Sequence, residues 1–502
     1  MTDQPMHDTE YIEFLSPNGT FNGLWQPVVG NETLELLAYL KLKPEEKERL
    51  QAESVAVLSK CLPPKNPPNP ETGLVIGYVQ SGKTMSFTTV ATLAKDNGYR
   101  LIIVITGVTT NLFDQSKDRL ERDLTQGTVN RRWRFYQNPR PRNEELEGIA
   151  TAVDWDMTLP INSHKTVLIT VMKNARHLES LLKILQNLSH RVDLRTVPSL
   201  IIDDEADQAS LNNLVRRGSK SSIYARILAL RDALPHHSFL QYTATPQASL
   251  LISLIDVLSP NFAELLSPGI SYTGGKTFFE KDFRLVKTIP LRDMPTKQNP
   301  LLTPPDSLLE ALRLYFIGAA VGYLRGSHER DSNRSMMVHP SKSTDEHGSY
   351  VQWVRQIKLH WEQLLNAPNH DRDKQDLLED FLLAYQELQQ TVDDIPPFSE
   401  ISPTLRQAIK ETQVTEANAK GGKTPQPNWK QDYSHIVVGG EVLNRGYTIQ
   451  GLTVTYMPRG KGVGNADTLQ QRARWFGYKA VSYTHLRAHE TKANLVCRLL
   501  LE

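Results

Sequence analysis

Residues 74–87, LVIGYVQSGKTMSF, leave this chain little freedom in how it folds. An apolar run of strand length enters a loop bounded by Gly77 and Gly82. Lys83 and Thr84 then open a helical pattern, which gives the G-x-x-x-x-G-K-[ST] spacing of a phosphate-cradling P-loop. Glycine at both ends lets the backbone N–H groups of Gln80, Ser81, Gly82, Lys83 and Thr84 converge on phosphate oxygens. The helix N-terminus adds a favourable field. Lys83 is expected to neutralise the β and γ phosphates and the Thr84 hydroxyl to complete a Mg²⁺ shell, so ATP with Mg²⁺ is the expected occupant.

The surrounding pattern agrees. Between 74 and 259 the strand-length runs LVIGYV, LIIVIT, TVLITV, SLIID and FLQYTA alternate with helical segments. Such alternation predicts an α/β fold, a parallel sheet covered by helices on both faces. Ligands of these sheets sit at the carboxyl ends of the strands. At that edge SLIIDDEAD, 199–207, delivers a carboxylate pair. Asp204 is expected to hold Mg²⁺ through water and Glu205 to orient or deprotonate the attacking water, with Asp203 competing for the metal role. An acidic loop after a buried strand is the blander alternative. Next comes YTATP, 242–246, whose Thr243 and Thr245 hydroxyls are expected to hydrogen-bond the acidic motif and report nucleotide state.

Nucleic-acid contacts have weaker signals. TGVTTNLFDQSKDRL, 106–120, and LITVMKN, 168–174, place Thr106 and Lys173 after strands, where they either touch a nucleic-acid backbone or belong to helix caps. RRWRFYQNPRPR, 131–142, combines five arginines with three aromatics, making Arg132 and Trp133 candidates for a single-strand or phosphate-contacting loop. A solvated surface loop is the alternative.

A second strand series starts at SMMVHPS, 335–341, is interrupted by a helical pattern, and resumes at HIVVGG, 435–440. It leads into EVLNRGYTIQGLTVTYMPRG, 441–460, and DTLQQRARWFGYK, 467–479. A two-domain motor must send arginines from its second domain toward the γ phosphate to neutralise transition-state charge. Arg445 and Arg474 are the candidates and Arg472 the reserve, with Asp467 and Gln470 positioning them or the nucleotide.

The expected domains are a helical N-terminal segment with a proline-rich linker (1–70), a first nucleotide domain (71–259), a connector (260–330) and a second domain (331–479). A helical insert occupies about 350–430 of the last. Lys and Arg number 57 against 56 Asp and Glu, so no global basic field advertises nucleic acid and any such binding must be local. Cys61 and Cys497 form no C-x-x-C pair, which argues against a disulfide framework or a cysteine zinc site and for a reducing cytoplasm. The acidic N-terminus lacks a signal-peptide plan, so no export is expected. The apolar stretch 314–324 is shorter than the ~20 residues of a membrane span and reads as a core helix.

In order, GYVQSGKT, DEAD, TATP, NRGYTIQGL and QRARWFGY resemble the motifs of superfamily-two helicases and translocases, implying two RecA-like domains over about 71–479. More closely, VQSGKT with GGEVLNRGYTIQGLTV and DTLQQRARWFGYK resembles the Z-one domain family, whose members carry an endonuclease label. The resemblance implies an ATPase component of restriction or phage-defence loci that also encode a DNA methyltransferase, a GHKL-type ATPase and a separate nuclease. Two positions depart from the wider pattern. The second arginine of Q-x-x-G-R-x-x-R is missing after Arg474, and Thr448 stands where many members carry Asp. No D…(D/E)-x-K nuclease constellation is evident. AVSYTHLRAHETKANLVCRLLLE, 480–502, is similar to translated adapter sequence, so a non-native tail and a truncated second domain are expected. The readings in competition are a DNA motor, an ATP-gated clamp on DNA or a partner, and a nuclease in its own right.

Overall fold

The structure is a computed structural model. It describes residues 25–79, 81–125, 132–155, 164–207, 222–246, 258–270, 272–274, 276–278, 285–295, 300–326, 333–340, 344–392, 394–418, 425–440, 443, 447, 449–458 and 483–486. The chain divides into two compact units, Met1–Gly269 and Ile270–Glu502.

In the first unit, helices α1 (Asn31–Tyr39) and α2 (Pro44–Ser59) precede strand β1 (Pro70–Ile76). There follow α3 (Lys83–Asp96), β2 (Leu101–Thr106), α4 (Thr110–Leu124), β3 (Trp133–Gln137), α5 (Asn143–Val153), β4 (Thr166–Met172) and α6 (Ala175–Leu188). The unit closes with β5 (Ser199–Asp204), α7 (Ser222–Asp232), β6 (His237–Thr243) and β7 (Phe262–Leu265). The strands form one parallel sheet in the order β3-β4-β2-β5-β6-β1-β7. All six residues of β2 are buried because strand alternation sends them to two different cores. Leu101, Ile103 and Ile105 meet Ile149 of α5 and Leu178 of α6. Ile102 and Val104 meet Phe87 and Val90 of α3 and Val57 of α2.

One strand, β6, separates the P-loop strand β1 from the carboxylate strand β5. That order defines a RecA-like nucleotide domain. Two expectations change here. The basic-aromatic stretch after 131 is edge strand β3 rather than a loop, since its alternation turns Trp133 inward while Arg134 stays exposed. The stretch expected as a connector from 260 supplies β7 to the first sheet and the long helix of the second unit.

The N-terminal helices are tied to the P-loop helix. Gly30 gives α1 no side-chain cap. The Asp96 carboxylate, from the last turn of α3, accepts instead from the backbone N–H groups of Gly30, Glu32 and Thr33 at 3.0–3.1 Å and from the Thr33 hydroxyl at 2.7 Å. A charge at a helix N-terminus satisfies donors that would otherwise lack partners. Asp96→Ala is expected to weaken α1 docking by about 2 kcal/mol, lowering hydrogen-exchange protection of α1 amides about 30-fold with the sheet unaffected.

The second unit holds β8 (Val286–Lys287), β9 (Arg334–Val338), β10 (Gln413–Ala417), β11 (Ser434–Gly439), β12 (Leu452–Met457) and β13 (Tyr483–Leu486). They form a parallel sheet in the order β10-β11-β9-β12-β13-β8. Alternation again splits the strands. Met336, Val338, Ile436 and Val438 face the helix Asp306–Leu324 and the inserted helices Thr344–Asn366 and Arg372–Leu388, while Met337 and Val437 face Tyr447 and Leu452. The insert ends earlier than expected, because 413–417 pairs with β11 as an edge strand. Residues 483–486, past the boundary expected at 479, pair with β12. The helix Asp306–Leu324 has 19 residues, longer than its apolar core suggests, and is long and apolar enough to cross a membrane; 72% of that window is buried inside the protein.

Candidate nucleotide site

The two motifs of the first unit meet at the carboxyl edge of β1, β6 and β5. Gly77 leaves β1 and donates its N–H to the Thr243 carbonyl at 3.0 Å, fixing the start of the loop to β6. The loop tightens through Ser81 N–H to the Tyr78 carbonyl at 3.2 Å. Gly82, at φ +98°, is the N-cap of α3 and takes a conformation that a side chain would strain. A Cβ on Gly77 would lie 2.7 Å from Lys83 Cγ, so glycine there makes room for the lysine stem. The Lys83 ammonium lies back over the loop, 3.4 Å from the Tyr78 carbonyl, a long contact that leaves it little held. Thr84 follows in the first turn of α3. A loop kept bare of side chains, a helix N-terminus and a loosely held lysine suit a phosphate chain. Gln80 lies outside the described residues.

Across the edge, β5 delivers Asp203 and Asp204 to opposite sides. Asp203 is fully buried and ion-paired with Lys173 Nζ at 2.7 Å, which already spends its charge. Asp204, 8% exposed, lies in the field of Lys83. Burial, with help from the Glu205 charge, pushes its carboxyl up to about 7, while Lys83 and Lys173 pull the other way. Of the two aspartates, Asp203 is matched by the Lys173 ion pair and Asp204 is the one that lies in the field of Lys83.

Glu205 stands in the left-handed region at φ +55°, where a non-glycine residue is strained. Its turn is held on both sides. Lys173 Nζ donates to the carbonyls of Asp204 at 2.9 Å and Glu205 at 2.8 Å. Ala206 N–H donates to the Tyr242 carbonyl at 3.0 Å, and the Thr243 hydroxyl donates to Asp207 at 3.0 Å. Thr245 joins through its backbone, donating N–H to Thr243 Oγ1 at 2.9 Å. Thr243 thus touches both motifs, its carbonyl holding the P-loop and its hydroxyl the acidic turn. Among the described residues no group of three or more His, Cys, Asp or Glu is placed to hold a metal.

The nucleic-acid candidates of this unit have partners within the fold. Thr106 is buried, its hydroxyl 3.4 Å from the Val171 carbonyl. Trp133 is 2% exposed and donates Nε1–H to Glu32 at 3.1 Å beneath the Lys95 ammonium. Arg132 pairs with the same Glu32 at 3.2 Å. Trp133 leaves no free face for a base to stack on. Lys173 is buried in the acidic turn, a position that chain order hides because β4 and β5 are brought near each other only through β2. Arg445, Arg472, Arg474, Thr448, Asp467 and Gln470 lie outside the described residues.

Fold and site together define a P-loop α/β protein with RecA-like architecture. Residues 307–493, within the second unit, match the family model of the Z1 domain. Comparison with curated proteins gives no match. Among solved structures the chain is similar to Dbp5 of S. cerevisiae bound to RNA and ADP BeF3, at 12% identity and TM-score 0.40, covering 95% of this chain and 92% of that one. It is similar to the DUF1998 helicase MrfA bound to DNA, at 13% identity and TM-score 0.46, covering 94% of this chain and 50% of MrfA. A third likeness is to the helicase Lhr of Mycobacterium smegmatis bound to ssDNA and AMP-PNP, at 13% identity and TM-score 0.43, covering 91% and 47%. The chain therefore spans about half the length of MrfA and Lhr.

Proposed function

We propose that this chain is an ATP-hydrolysing, helicase-like DNA translocase that works in the cytoplasm within a restriction-modification or phage-defence system. Its partners there would be a nuclease, a methyltransferase and a GHKL-type ATPase. The observation that carries the reading is the stitch at Thr243, which holds a phosphate-cradling loop and a strained carboxylate turn side by side on one sheet edge.

In this proposal the N–H groups from Gln80 to Thr84 and the Lys83 ammonium bind the β and γ phosphates. Thr84 and, through water, Asp204 would hold Mg²⁺, which would supply neutralisation of the developing charge. Few protein ligands are normal for a metal that keeps its waters. Water attacks the γ phosphorus, its proton passes to the Glu205 carboxylate, the bond to the β–γ bridging oxygen breaks, and ADP and phosphate leave. Thr243 and Thr245 relay the state of the site, and Arg445 and Arg474 of the second domain supply positive charge in the transition state.

Purified protein is expected to hydrolyse ATP faster when DNA is added, and Lys83→Ala to lower kcat/KM for ATP at least about 10²-fold. Displacement of a triplex-forming strand separates a motor, which strips it, from a clamp, which does not. Metal-dependent plasmid nicking that survives Lys83→Ala would assign cleavage to this chain and overturn the motor reading.

A further inference from the structure

Lys173 is the most completely buried ammonium beside the site, and the chemistry proposed above gives it no part. It stands one residue past β4, with its side chain wholly enclosed. Its three contacts all go to one neighbouring segment: the Asp203 carboxylate at 2.7 Å and the Asp204 and Glu205 carbonyls at 2.9 and 2.8 Å. An ammonium donates and does not accept, so it holds the two carbonyls by hydrogen bonds and meets the Asp203 carboxylate as an ion pair. They converge on a peptide in which Glu205 holds φ +55°. A left-handed non-glycine residue persists only where its surroundings over-determine it.

We infer that Lys173 is a positioning residue that clamps the Asp204–Glu205 turn and thereby aims the Glu205 side chain, Asp203 serving as the counter-charge beside the buried lysine. The clamp itself stands on geometry alone; its effect on turnover rests on the ATPase reading. The division of labour follows from the chemistry of each contact. The ion pair offsets the cost of burying a charge. The carbonyl contacts turn the peptide, and an error of about 1 Å at a catalytic base costs up to about 10²-fold in rate.

The test separates the clamp from simple stability. Lys173→Met leaves the Asp203 charge buried and unpaired, so it destabilises whatever the role of the lysine. Lys173→Met combined with Asp203→Asn removes that charge while the two carbonyls still lack their donor. In the double variant the melting midpoint is expected to move back toward that of the parent. Amide exchange over 204–207 is expected to stay raised about tenfold or more, with the rest of the sheet as in the parent. With ATP, kcat is expected to fall about 10–10²-fold while KM stays within about threefold, because the P-loop is intact. Parent-like exchange over 204–207 in the double variant would overturn the inference, as would a kcat that recovers along with stability. If 204–207 loosens but the parent chain hydrolyses no ATP, the clamp stands and the ATPase reading fails.

Discussion

Glu205→Gln is expected to bind ATP as the parent does and to turn it over about 10²–10⁴-fold more slowly, the usual contribution of a positioned general base. The substitution keeps the shape and length of the side chain at φ +55°, and removes the negative charge together with the ability to accept a proton. Neither Lys173, which grips the main chain, nor Thr243, which grips Asp207, contacts the group being changed. The turn therefore keeps its form. Single-turnover hydrolysis beside equilibrium binding of a fluorescent ATP analogue reads the two effects apart. Full hydrolysis by Glu205→Gln would remove the acidic turn from the mechanism.

Asp204→Asn is expected to move activity and stability in opposite directions. Losing the one protein carboxylate proposed for Mg²⁺ should lower ATP turnover about 10²-fold or more. Stability should rise, for a reason that has a sign in pH. Burial and Glu205 lift the Asp204 carboxyl to about 7, so the folded chain holds a proton there that the unfolded chain has already released. Below the ordinary Asp range both states are protonated and the site contributes nothing. As pH rises toward about 7 the parent loses stability, and above that the whole penalty is present. Asparagine carries no such penalty. The variant should therefore melt as the parent does near pH 4 and about 2–4 °C higher at pH 8 without nucleotide, on the basis of at least about 1 kcal/mol recovered. Thermal melts across that range, with Mg²⁺ absent, check it.

The parts of this protein that can be read from its residues are those whose signal is local. The P-loop, the carboxylates at the end of β5 and the buried strands β2, β4 and β5 each declare themselves within about ten residues, because spacing or an unbroken apolar run is the cause of the structure. Lys173 and Trp133 show the opposite case. Both look like surface chemistry in a linear chain, yet Lys173 finds its partners thirty residues on and Trp133 finds Glu32 far upstream. A buried charge or indole N–H is legible only through its partner, and pairing across parallel strands separates partners by whole strand-helix units. Strand β3 was hidden for a related reason: an edge strand buries little, so its arginines drown the alternation that makes it a strand. The bond from Thr243 to Asp207 is the expected pairing of a β6 hydroxyl with the acidic motif, and only the choice of Asp207 among its carboxylates was hidden in the sequence.

Helix α3 joins two regions that chain order keeps apart. Its first residue belongs to the phosphate cradle and its last, Asp96, holds the leading end of α1 by four hydrogen bonds. At fourteen residues it is a rod about 21 Å long. A small tilt about its phosphate end is therefore carried, magnified by that lever arm, straight into the N-terminal helices, which gives anything seated on α1 a mechanical line to the occupancy of the loop.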